Sequence, residues 1–111
     1  MKKALSMTVM ILWAIIWIAP KSAALDAAAG KEAYMKKCAS CHGQAGEGKD
    51  AIAQMLKVKL AHLGSKEVQA RSDADLKKIP LEGTGKMKAV KDMNPQMADD
   101  IVAFLRTLAK K

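Results

Sequence analysis

Cys38-Ala39-Ser40-Cys41-His42, CASCH in one-letter code, contains both cysteines and one of the two histidines of a 111-residue chain. Two thiols at this spacing suit a redox dithiol, part of a zinc site, a small disulfide, or a double anchor for a prosthetic group. The flanking sequence separates these options. A thioredoxin-type dithiol needs a βαβ setting, and no stretch of this chain alternates like a strand. A structural zinc site needs four ligands. The obvious set is Cys38, Cys41, His42 and His62, and His42 adjoins Cys41 too closely to join the same tetrahedron well. A disulfide between Cys38 and Cys41 closes a very short loop, so it removes little chain entropy.

The fourth option is C-x-x-C-H, the attachment pattern for c-type haem. Its chemistry uses each residue. The two thiols add to the two vinyl groups of haem and form thioethers. The next residue, His42, is then in place to offer an imidazole nitrogen to the iron. The composition agrees. Beyond residue 24 the aromatic residues are Tyr34 and Phe104 alone, and both tryptophans, Trp13 and Trp17, lie before it. So few aromatics leave a small domain with a marginal core, and a buried porphyrin supplies the missing flat apolar mass.

The first 24 residues read as a secretory leader. Lys2 and Lys3 precede an uncharged run from Ala4 to Ala19, Pro20 breaks it, and small residues follow. That order is the mark of an exported chain cleaved after Ala24. The alternative is a retained membrane anchor, for which the run is short against the roughly 20 residues of a span. Cleavage gives two regions, a signal peptide over 1–24 and one domain over 25–111, and places the product in the periplasm. It also takes Lys2, Lys3 and Lys21 away, moving the formal charge from +8 to +5. A nucleic-acid role is excluded on the same grounds, and no dense Lys/Arg block interleaved with aromatics points to one.

The rest of the chain reads as all-α. Asp26 caps a first helix through "AAAGKEAYMKK" that stops near Cys38. Residues 43–50, "GQAGEGKD", form a glycine loop. Residues 51–63 contain a short helix followed by irregular chain, with Met55 in the core and His62 in a loop. Ser65 and Ser72 are N-caps, the second opening a helix from Asp73 to Ile79 that Pro80 ends. "LEGTGKMKAVKDM" is loop. Asn94 and Pro95 start the last helix, to about Ala109. Its residues Met97, Ile101, Phe104, Leu105 and Leu108 form one apolar stripe, and Met93 packs before its cap as a staple.

"GKEAYMKKCASCHGQAGEGK", "RSDADLKKI", "GTGKMKAV" and "MADDIVAFLRTLAKK" together resemble the small class I c-type cytochromes of bacteria, especially the short periplasmic monohaem carriers. The resemblance covers the whole region after the leader. It implies an all-α class I cytochrome c fold, four to five short helices around one covalently bound haem c. The N- and C-terminal helices would cross where Gly30 and Tyr34 meet Ile101 and Phe104. It also implies a methionine as second axial ligand in "GTGKMKAV", and there Met87 is an apolar thioether among glycines and lysines with no core to join. Met35 lies too close to Cys38 to reach the other haem face. Met97 and Met93 have packing roles, and His62 is the rival, giving a bis-histidine iron.

Two features depart from the family pattern. Lys88 follows Met87 where a proline is usual. No proline follows the haem motif before Pro80, so the carbonyl that accepts the proximal imidazole N–H must come from another residue near Ala51.

An iron ligated by His42 and Met87 has no open site, which argues against an enzyme and for a one-electron carrier between redox partners. Lys36, Lys37, Lys86, Lys88 and Lys91 would steer partners that are acidic at the docking site. A membrane enters only if the leader is retained. Two alternatives stay open: a haem subunit of a dehydrogenase or oxidase complex, and a haem-based CO or NO sensor from which Met87 departs.

Overall fold

Asp26 accepts hydrogen bonds from the N–H groups of Ala28 and Ala29, and this cap opens helix α1, Ala27–Lys37. The computed structural model describes residues 25–110. The leader expected over 1–24, its cleavage after Ala24 and the alternative of a retained anchor lie outside the described residues. After α1 the chain pauses at Cys38 and resumes as a single turn, α2, Ala39–His42. Helix α3 spans Asp50–Leu56 and stops at Lys57, which takes a left-handed conformation at φ 53°.

The expected serine and asparagine caps form. Ser65 accepts from Val68 N–H at the start of α4, Lys66–Gln69. Ser72 accepts from Asp75 N–H to open α5, Asp73–Glu82. Asn94 accepts from Met97 N–H at 2.8 Å, with Pro95 at the first position of α6, Pro95–Thr107. The described residues therefore carry six helices, two of them single turns, and one isolated bridge between Thr84 and Met87. None of these helices is long and apolar enough to cross a membrane.

Three expectations need correction. Pro80 does not end α5: it is buried inside the helix, which runs on to Glu82 and leaves through Gly83. Proline costs its own N–H and clashes one turn back, but only Leu81 and Glu82 follow it. Its carbonyl accepts from Val90 N–H at 2.8 Å, tying the next loop back. Helix α6 ends at Thr107 rather than Ala109. Met55 is not in the core but 69% exposed. On this helix of about two turns, Ile52 and Leu56 share the inward face at a spacing of four, and Met55 falls beside it.

Helices α1 and α6 cross at Gly30. A Cβ there would overlap the carbonyl oxygen of Asp100 and press on the Ile101 nitrogen, so the backbones touch and only glycine fits. One turn on, the rings of Tyr34 and Phe104 pack with centroids 5.0 Å apart at 53°. Tyr34, Ala39, Ile101, Phe104 and Leu105 form the main core, with Met93, Met97 and Leu108 packed on its edge. Val68, Leu76 and Val102 form a second cluster, and Leu63 touches both.

Polar side chains fasten the far end of α6. Arg106 donates to Asp73 at 2.7 Å and to the carbonyls of Gln69 and Arg71 at 2.8 and 2.7 Å. Gln69 in turn donates to the Leu63 and Leu105 carbonyls, both at 2.9 Å. A single guanidinium thus joins the end of α4, the start of α5 and α6, a role its fork of five donors suits.

Candidate haem site

The sequence places Cys38 at the end of α1 and Cys41 and His42 on the turn α2, so all three are delivered by the helix that crosses α6. They border a cavity of about 580 Å³. The value falls within the roughly 300–1,000 Å³ of ordinary cofactor and ligand sites. Ile52, Leu56, Leu76, Ile79, Val90 and Leu105 contribute apolar walls from four different parts of the chain. Met87 borders the same cavity from the loop between α5 and α6. His62, Met93 and Met97 do not border it. His62 instead accepts from Gly64 N–H at 2.9 Å through Nδ1 and shapes its own turn, while the two methionines pack on the core.

Local backbone sets these positions. The carbonyl of Cys41 accepts from Lys49 N–H at 3.0 Å, and that of His42 from Gly48 N–H at 2.6 Å. Gly43 leaves α2 at φ +83°, a conformation that favours glycine. Around Met87, Thr84 and Met87 exchange two backbone hydrogen bonds of 2.9 Å, and Gly85 at φ +54° turns the chain between them. This tight turn is what aims position 87.

The electrostatics fit a covalently held prosthetic group better than a dithiol enzyme. Cys38 and Cys41 are both free. Burial pushes the Cys38 thiol up to about 11, against the opposing pull of Lys37. A redox dithiol needs a lowered thiol pKa, and Cys38 has the reverse. Burial also lowers the His42 pKa, so its imidazole is held neutral, the form that binds metal. Among the described residues no group of three His, Cys, Asp or Glu side chains could hold a metal ion by itself, which disposes of the zinc set.

The Nδ1 atom of His42 is buried and has no hydrogen-bond partner among the described residues. The carbonyl acceptor expected near Ala51 is not supplied. Ala51 stands exposed in the first turn of α3, where carbonyls run along the helix axis.

Charge around the cavity is one-sided. Lys37, Lys59, Arg71, Lys86 and Lys88 border it, and among the described residues no acidic one does. Lys59 and Arg71 were not singled out by sequence, because nothing in their neighbours marks them as facing a common space. Lys36 and Lys91 do not border the cavity. Lys36 lies 3.5 Å from Glu32 on α1, and the Lys91 carbonyl accepts from the Lys37 ammonium at 3.1 Å.

Free paired thiols, a half-buried neutral imidazole and apolar walls suit haem c, and the Met87 thioether borders the same cavity. Comparison with known proteins agrees. No curated protein and no solved structure matched the chain. The family model described as Cytochrome c matches residues 27–109, which runs from the first residue of α1 to just past α6 and takes in the whole cavity. The chain belongs to the cytochrome c family, as a small class I c-type cytochrome that binds haem c covalently and serves as a haem-based electron carrier.

Proposed function

We propose that this protein is an exported, periplasmic monohaem cytochrome that passes single electrons between soluble or membrane-bound redox proteins. Cys38 and Cys41 would hold haem c through thioethers, and His42 and Met87 would offer their nitrogen and sulfur to its iron. Bound haem c supplies a one-electron Fe(III)/Fe(II) couple, whose potential a His/Met pair raises. The observation that carries the reading is that His42 and Met87 border one apolar cavity while His62 serves a turn elsewhere.

The chain's own residues hold, shield and steer. The apolar walls exclude water from the ligand atoms, and α1 and α6 hold the attachment segment rigid. Lys37, Lys59, Lys86 and Lys88 border the cavity and favour approach by acidic partner surfaces, an effect on encounter rate that falls with salt. With His42 and Met87 both bound to it, the iron would have no place for a substrate, which supports a carrier rather than an enzyme.

Visible spectroscopy of the Met87→Ala variant tests the reading. The oxidised protein should show a weak far-red sulfur-to-iron band. Met87→Ala should abolish it, lower the potential and admit CO or cyanide to the iron. A band that survives Met87→Ala and is lost with Met93→Ala would move the ligand to Met93. An unaltered protein that lacks the band and already binds CO would replace the carrier by the sensor.

A further inference from the structure

Tyr34 is the largest side chain buried to within 2% of full exclusion among the described residues, and it is polar. A phenylalanine would satisfy its packing on Phe104. The hydroxyl instead donates to the carbonyl oxygen of Gly43 at 2.6 Å, a buried bond between α1 and the residue that follows His42. Among the described residues the Gly43 carbonyl has one other backbone donor, Gly46 N–H, at a longer 3.3 Å.

The two preceding carbonyls are also held. Cys41 accepts from Lys49 N–H and His42 from Gly48 N–H. Three consecutive carbonyls are therefore fixed by three separate donors. The imidazole, in contrast, has no partner at Nδ1 among the described residues. A metal-binding histidine is ordinarily oriented through its second ring nitrogen. Where that nitrogen has no acceptor, the ring direction depends on the backbone from which it projects.

We propose that Tyr34 is a positioning residue for His42, its buried hydroxyl fixing Gly43 and thereby the direction of the imidazole. The inference rests on His42 as an axial ligand. Burial, aided by the nearby Cys38 and Glu47, raises the Tyr34 pKa to about 12, so the donor is present at every pH at which the protein is handled. Tyr34→Phe removes the bond and keeps the ring, which makes it a sharp variant.

The experiment compares the oxidised, haem-loaded protein with Tyr34→Phe and with a packing control, Phe104→Leu. Proton NMR reads the hyperfine-shifted haem methyl resonances, whose order depends on imidazole orientation, and voltammetry reads the potential. Tyr34→Phe should change the order or spread of the methyl resonances and shift the potential. It should also speed hydrogen exchange of the Gly48 amide by roughly 3- to 10-fold, the factor a lost neutral hydrogen bond is worth. Phe104→Leu should lower the melting temperature and leave the methyl order unchanged. If both variants lose stability and neither moves the resonances, Tyr34 only packs and the inference is overturned. If the unaltered protein gives no axial-histidine signals, the ligand assignment itself fails, an outcome distinct from the first because it appears before any variant is made.

Discussion

Around His42 three successive carbonyls accept from Lys49, Gly48 and Tyr34, and the last of these bonds is buried. Around Met87 the loop from Gly83 to Met93 is held by the Thr84–Met87 pair, by Val90 N–H on the Pro80 carbonyl, and by two exposed lysine ammoniums. Lys86 reaches the Leu56 carbonyl at 2.6 Å and Lys37 reaches that of Lys91 at 3.1 Å. The first region is braced by α1, which itself is locked on α6. The second hangs from the end of α5 by one tight turn, one backbone bond to Pro80 and side-chain tethers that solvent can replace. Local opening starts where backbone bonds are few and exposed. The Met87 side should therefore open before the His42 side, which keeps the CASCH segment fixed while the Met87 loop alone responds to perturbation.

Adding the same methyl group on each side separates the two regions. Gly30→Ala puts a Cβ onto the Asp100 carbonyl at the crossing that braces the His42 side. Backbone cannot step aside as a side chain can, so the helices must part. The expected loss is about 3 kcal/mol, the upper end for overpacking, seen as a lower urea midpoint and weaker haem incorporation. A variant as stable as the parent would mean that the crossing is looser than the geometry requires.

Gly85→Ala is the counterpart on the Met87 side. Nothing lies within 4 Å of a Cβ built there, so the only penalty is the positive φ of 54°. A left-handed alanine costs about 1–2 kcal/mol. The loss should be confined to the turn: global stability falls by less than in Gly30→Ala, and the far-red methionine band weakens or becomes more temperature-sensitive. Equal damage from both substitutions, with the band untouched, would erase the contrast between the two sides.

Much of this arrangement was legible in the chain because it is local. Asp26, Ser65, Ser72 and Asn94 each carry a short-range capping bond, and the α6 stripe needs only helical periodicity. The CASCH pentapeptide carries its own spacing, and Gly30 followed by Tyr34 announces a close crossing. What was not legible depends on distant partners. Met55 looks like any core methionine until α3 is oriented by Ile52 and Leu56. Pro80 ends a helix by rule, yet here the helix survives two more residues. Lys59 and Arg71 meet Lys37 and Lys88 only through the fold, and the Tyr34 hydroxyl finds Gly43 only once α1 and the glycine loop are in place. The missing acceptor for His42 follows from the same cause, since α3 begins where the family pattern has a proline loop.

The smallest effect is expected from Glu47, an exposed residue of the His42-side loop. Its carboxylate accepts from Ala45 N–H at 2.9 Å and lies beside Gly43, whose missing side chain leaves it room. Its pKa is lowered below 4.5, first by its own backbone N–H and next by that of Ala45. The sign follows from linkage: the folded protein holds this proton less tightly than the unfolded chain, so the bond's contribution is fully present above pH 4.5 and fades as pH falls through the lowered value. Glu47→Gln should therefore be slightly less stable than the parent at pH 7, and the two urea midpoints should converge in strong acid. Glu47 acts on the loop and not on a ligand, so the visible spectrum at pH 7 should not change. A gap between the midpoints that is the same at pH 7 and in acid would show that the charge plays no part, and that the well-braced region owes its stability to Tyr34 and the backbone bonds alone.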